Sequence, residues 1–181
     1  MFSYPEIALT LLNGFLFILP LFVLRFGLPA LVSKQALSDL QFFPPVEGVE
    51  QTALRVYTIT NLFLVFSPLL ARIQAGTQYF FIGLALYLLG VALLALALLH
   101  FSAEGGLTQR GIYRFTRNPI YIGYFLFYLG IAFIIGSWTY LVVTVIYQLS
   151  VHWLILSEER WCAGKYGEDF RAYCERTPRY L

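Results

Sequence analysis

Apolar residues in this chain fall into long runs, with polar residues gathered between them, and not into the short alternation that marks half-buried strands. A helix rising about 1.5 Å per residue needs about 20 largely apolar residues to cross a hydrocarbon layer of about 30 Å. Five segments reach or approach that length: 7–24, 56–71, 78–101, 120–135 and 138–156. The second carries Thr58, Thr60, Asn61 and Ser67, so it is expected to face other helices, because hydroxyls and amides go unpaired against lipid. Residues 33–53 read as a loop or interfacial segment, in which the pair Pro44-Pro45 prevents one continuous helix and Phe42 and Phe43 are placed to dip toward headgroups.

Small residues add a second pattern. Gly76, Gly83, Gly90 and Ala97 recur at one interval along the third run, and Gly123 and Gly130 repeat it in the fourth. Such stripes predict seams where helix backbones approach closely, while clearance for a ligand at Gly123 is the competing reading. The turn Gly136-Ser137 leaves almost no loop, so the fourth and fifth helices are expected to form an antiparallel hairpin. Equal lengths on either side of that turn bring Arg117-Asn118-Pro119 and Glu158-Glu159 to one depth.

Composition strengthens this picture: 59% hydrophobic and 18% aromatic residues against 12% charged leave too little polar material to coat a water-soluble globule. The expected fold is an all-α integral membrane protein with about five transmembrane helices, a closing helical hairpin and a cytoplasmic amphipathic C-terminal segment. It reads as one continuous domain. Residues 1–101 supply three helices with a loop at 26–55, and residues 102–181 supply a motif region, the hairpin 119–156 and the tail. The absence of Lys or Arg before Arg25 argues against a cleaved signal peptide. With five spans, all of the twelve Lys and Arg except Arg72 fall on one side, which predicts an outside N-terminus and a cytoplasmic C-terminus. A net charge of +2, explained by topology, gives no support to nucleic-acid binding. Cys162 and Cys174 lack metal-ligand spacing, so no metal is expected.

The segment from Gly111 to Gly123 is dense in polar donors for a place beside a bilayer. Asn118 and Pro119 suit the first positions of a helix without further function, and Arg110, Arg114 and Arg117 suit snorkelling anchors. Glu158 and Glu159 are harder to dismiss, because carboxylates near a helix C-terminus are unfavourable unless the helix continues or cations lie close. They call for a structural arginine cluster or a bound cationic ligand. Beyond them Trp161, Tyr166, Phe170 and Tyr173 recur at near-helical spacing, with Gly164 and Gly167 as breaks and Thr177-Pro178 as a stop. That short amphipathic helix would rest on the interface or fold over the motifs as a lid.

Taken together, the Gly-x-Tyr-x-x-x-Arg-x-Pro-x-Tyr-x-Gly run from Gly111 to Gly123, the hairpin, Glu158-Glu159, Tyr166-Gly167, Tyr173 and Arg176-x-Pro-Arg179 resemble the isoprenylcysteine carboxyl methyltransferase and phospholipid methyltransferase superfamily. The resemblance implies a methyltransferase that uses S-adenosylmethionine, with Tyr113, Asn118, Pro119, Tyr121, Gly123 and Glu158 as cofactor-binding residues and Arg117 and Glu159 near the transferred methyl. One position departs. Family members commonly have His after the motif arginine, and Asn118 stands there, so a role needing imidazole basicity is absent. A carboxylate acceptor would be oriented by Arg117, whereas an amine or thiol would use Glu159 as base. The expected acceptor is a membrane lipid or lipid-modified small substrate entering from the bilayer. A sterol-type reductase using NADPH and a non-catalytic scaffold are the alternatives. A channel is disfavoured, because no run carries Asp, Glu, Lys or Arg near mid-membrane, and His152 is expected to pack near the cytoplasmic end.

Overall fold

The computed structural model describes residues 14–32, 38, 40, 42–71, 73, 75–104 and 106–180. Helix α1 spans Phe15–Val32 and α2 spans Val49–Phe66, followed by a 3-10 turn at Ser67–Leu70. Then come α3 (Gln78–Glu104), α4 (Pro119–Ile135), α5 (Trp138–Tyr166) and α6 (Glu168–Arg176). No strand forms among the described residues, and the chain is an all-α membrane protein. Four helices are long and apolar enough to cross a bilayer, and α4, with 17 residues, is a shorter apolar helix. The start of the first expected run, and Lys34 and Arg72 of the charge partition, lie outside the described residues.

Two helix boundaries differ from the hydropathy reading. α2 begins at Val49 and not near residue 56, because Gly48 turns the chain at φ +53° and Glu50 accepts a hydrogen bond from the Glu47 backbone N–H at 3.0 Å. The polar first turns of α2 had made it look like loop. α5 continues past residue 156 and stops only at Gly167, where φ is +55°. Gly164, expected as a break, lies inside the helix.

Glycines bring the backbones of α3 and α4 into contact. A Cβ on Gly90 would lie 2.4 Å from the Phe127 nitrogen, one on Gly130 2.5 Å from the Tyr87 nitrogen, and one on Gly83 2.7 Å from the Gly130 oxygen. Gly123 belongs to the same seam, since its Cβ would meet the Leu94 Cγ at 2.7 Å. α3 is the main neighbour of α4, and α5 packs chiefly on α2. At the hairpin, Gly136 takes φ +63° and the Ser137 hydroxyl accepts a hydrogen bond from the Tyr140 N–H at 3.2 Å.

Buried tyrosines link the layers. Tyr87 donates to the Phe17 carbonyl (3.0 Å), Tyr128 to Asn61 Oδ1 (2.9 Å) and Tyr140 to the Leu64 carbonyl (2.8 Å). Each bond joins α1 or α2 to the α3–α5 half. As expected, Thr60 and Asn61 face inward, but Thr58 points outward and returns its hydroxyl to the Leu54 carbonyl at 2.8 Å. That local bond removes the need for a partner helix.

The seam and the open site at Gly164, which has no neighbour within 4 Å of an added Cβ, respond oppositely to substitution. Gly90→Val is expected to destabilise the protein by about 3 kcal/mol through forced separation of backbones. Gly164→Ala is expected to be neutral or to stabilise by up to about 1 kcal/mol. Thermal unfolding of the purified protein in detergent, followed by size-exclusion chromatography, distinguishes the two.

Candidate active site

The entry to α4 and the extension of α5 meet at one end of the bundle, as the count from the hairpin turn requires. Glu159 is gripped from two directions. Arg117 donates through Nε and Nη2 to Oε1, at 3.1 and 2.9 Å, and Arg179 donates through Nη2 and Nε to Oε2, at 2.6 and 3.0 Å. The remaining Arg117 nitrogen donates to the Cys174 and Thr177 carbonyls, at 3.1 and 2.7 Å. The Arg117 backbone N–H reaches the Pro178 carbonyl at 3.0 Å. Three bonds from Arg117 therefore reach the C-terminal segment directly, and its two bonds to Glu159 tie that grip to α5.

Its neighbours complete the clasp. The Thr116 hydroxyl and the Asn118 side-chain amide both donate to the Arg179 carbonyl, at 3.0 and 3.1 Å. Asn118 occupies the cap position of α4, yet its side chain makes no capping bond and holds the tail. The Tyr173 hydroxyl donates to the Tyr113 carbonyl at 2.7 Å, and His152 Nδ1 lies 2.7 Å from the Tyr180 hydroxyl. The Glu159 carboxylate holds the Arg179 guanidinium above its ordinary range.

Glu158 faces elsewhere. Successive helical residues point about 100° apart, so with Glu159 turned to the tail, Glu158 enters a cavity of about 560 Å³ on the other side. Tyr121 donates a hydrogen bond to Glu158 Oε1. Tyr57 of α2 and Tyr124 of α4 extend the wall, and Trp161, Lys165 and Tyr166 of α5 close another part of it. Phe42 and Phe43 pack on Trp161 and Tyr57, with ring centres 5.1 and 6.0 Å apart, and both remain partly exposed. Arg160 secures this wall by donating to both Glu50 oxygens, at 2.6 and 2.7 Å.

The residues singled out from the sequence thus divide. Tyr121 and Glu158 line the cavity, whereas Arg117, Asn118 and Glu159 bind the tail. Pro119 opens α4, next to the cavity residue Ile120, and Gly123 sits in the α3–α4 seam. Tyr113 is buried, and its hydroxyl makes no hydrogen bond among the described residues. Burial pushes that phenol well above its ordinary range, with Tyr173 and Glu158 adding to the effect. The sequence reading missed Tyr57, Tyr124 and Lys165 as wall residues, and read Arg25 for topology alone although it also lines the cavity. Arg25 and Tyr57 lie on helices without a motif, Tyr124 and Lys165 fall just beside the motif residues of theirs, and helical phase alone separates cavity-facing tyrosines from those in the core.

No group of three metal-binding side chains occurs among the described residues. Burial raises the Cys174 thiol, with Arg117 and Arg179 opposing, so it remains protonated at neutral pH. In a Cys162→Ser background, maleimide is therefore expected to label Cys174 more slowly than free cysteine. Glu159→Gln releases the clasp and is expected to accelerate labelling by about tenfold or more, as local opening becomes populated. An unchanged rate would show that the tail is held without Glu159.

The family model described as phospholipid methyltransferase matches residues 66–169. No curated protein and no solved structure matches the chain. The matched stretch covers more than half of the 181 residues and contains α3, α4, α5, the Gly111–Gly123 segment and both glutamates. The chain belongs to the phospholipid methyltransferase family and is a membrane methyltransferase.

Proposed function

We propose that the protein transfers a methyl group from S-adenosylmethionine to an amine-bearing lipid headgroup at the cytoplasmic face of the membrane. The observation that carries this reading is the cavity in which aromatic rings surround a buried carboxylate, Glu158, already oriented by Tyr121. Its volume of about 560 Å³ lies within the range of small-molecule sites. Aromatic faces attract cations, as does a carboxylate, so the wall suits both a sulfonium and an ammonium group. Tyr113, which the motif also singles out, keeps a buried hydroxyl without a partner among the described residues, but it does not line the cavity.

S-adenosylmethionine supplies a methyl already activated for direct displacement, so the chain needs only to align the partners, exclude water and free the acceptor's lone pair. Tyr121 and Glu158, which line the cavity, are the residues that would hold it. The acceptor's ammonium proton passes to a Glu158 oxygen, while the Tyr121 hydroxyl keeps the other oxygen fixed. Trp161, Tyr166, Phe42 and Phe43 exclude water from the reacting atoms. Glu159 is a poorer proton acceptor, since arginines bind both its oxygens.

An amine is favoured over a carboxylate acceptor for the same reason. Arg117, the residue that would orient a carboxylate, has all three of its guanidinium nitrogens engaged with Glu159 and tail carbonyls. The cytoplasmic assignment rests on the distribution of basic residues.

Purified protein incubated with methyl-labelled S-adenosylmethionine and membrane lipid extract is expected to place label in the organic phase. Glu158→Gln is expected to lower kcat/KM by about 100-fold, within the usual range for loss of a general base. S-adenosylhomocysteine is expected to release heat on binding. Transfer only to water-soluble acceptors sinks the lipid assignment, and heat from NADPH alone favours a reductase.

A further inference from the structure

Arg25 lies on α1, ahead of the 66–169 stretch that carries the family match. Its helix is distorted at this position. Residues Val23–Gly27 form a π-helical turn, a distortion that is rare in α-helices and frequent at functional sites. The guanidinium lines the same cavity as Glu158, close enough for its charge to act on Glu158, Tyr57 and Tyr124.

Among the described residues, Arg25 has one hydrogen-bond acceptor, the Leu40 carbonyl at 2.5 Å from Nη2, and no carboxylate partner. Other arginines at this end are better matched: Arg117 and Arg179 share Glu159, and Arg160 holds Glu50. A half-buried guanidinium at the edge of a hydrocarbon layer is costly without a counter-charge. Its planar fork fits two oxygens of a phosphate, and the Leu40 bond leaves donors over for such a contact.

We propose that Arg25 is the specificity-determining residue of the acceptor site, receiving the phosphate of a phospholipid whose amine reaches Glu158. The inference rests on the lipid-amine reading above and adds a second point of recognition. Arg25 and Glu158 occupy one wall system without forming an ion pair, so a zwitterionic headgroup supplies each with its opposite charge. An amphiphilic amine without phosphate satisfies Glu158 alone. The cofactor's carboxylate is the other oxyanion able to meet Arg25. The residues that the motifs assign to the cofactor lie between Tyr113 and Glu158, on other elements, which favours the lipid.

The test compares phosphatidylethanolamine with sphingosine, an amphiphilic amine lacking phosphate, in mixed micelles with wild-type protein and with Arg25→Gln. The kcat/KM ratio of the first acceptor over the second is expected to fall on the order of 30-fold in the variant, the scale of a lost charge-assisted hydrogen bond. KM for S-adenosylmethionine is expected to stay within a factor of about two. Arg25→Lys keeps the charge but lacks the fork, and is expected to lose part of the ratio. Calorimetry with S-adenosylhomocysteine reports whether each variant is folded, and the lysine variant carries the test where glutamine does not fold. An unchanged ratio overturns the assignment to Arg25 while leaving the lipid-amine reading intact. A rise in the S-adenosylmethionine KM with no change in the ratio places the cofactor's carboxylate at Arg25 and overturns it equally. Failure of the wild type to methylate either amine refutes the lipid-amine reading itself.

Discussion

Glu159 shared between Arg117 and Arg179 is the contact on which the working end of this protein depends. A carboxylate removed from water needs opposite charge and full hydrogen bonding, and here two guanidiniums from widely separated parts of the chain supply both. Because the α5 backbone fixes the angle between consecutive side chains, anchoring Glu159 to the tail also sets the direction of Glu158. One glutamate is structural so that the next can face the cavity. The clasp likewise explains why Thr116, Arg117 and Asn118 lie beside Pro178 and Arg179: donors on one segment meet carbonyls on the other.

Below that end, the scaffold cannot draw on the hydrophobic effect between helices, since lipid satisfies apolar surface equally well. It uses two other devices. Glycines let α3 and α4 approach until their backbones touch, gaining dispersion over a long interface. Tyrosine hydroxyls on α3, α4 and α5 then find acceptors on α1 and α2, each such bond contributing about 0.6 kcal/mol on average in a membrane interior. The polar atoms that hydropathy counts against α2 are among those that fasten it.

The sequence displayed the features that have a local cause. Apolar runs, the Gly136-Ser137 turn and the glycine interval each depend on a few neighbouring residues, and the depth match of Arg117 with Glu159 follows from counting along two regular helices. What it concealed involved competition or distance. Asn118 is as suitable for capping a helix as for binding a carbonyl, and only the arrival of Arg179 selects the second role. The start of α2 was hidden because a polar helix and a polar loop have the same hydropathy. Glu50 and Arg160 stand 110 positions apart, and neither has a neighbour that announces the pair. Arg25 resembled every other basic residue at the membrane edge, since topology and recognition ask for the same residue type.

The glycine seam also makes the protein one-sided toward its surroundings. Between α3 and α4 the backbones leave no space for even a methyl group at Gly83, Gly90 and Gly130, and the Leu94 side chain fills the space at Gly123, so an acyl chain cannot wedge between them. That flank acts as a solid wall. The cavity is bounded elsewhere by side chains from α1 and α2 and by the Phe42–Phe43 segment, which depend on rings and ion pairs and not on backbone contact. Any yielding of the structure to a long amphiphile is therefore concentrated on the side formed by the N-terminal half. The part of the chain that carries the least recognisable sequence is the part free to vary with the molecule it admits.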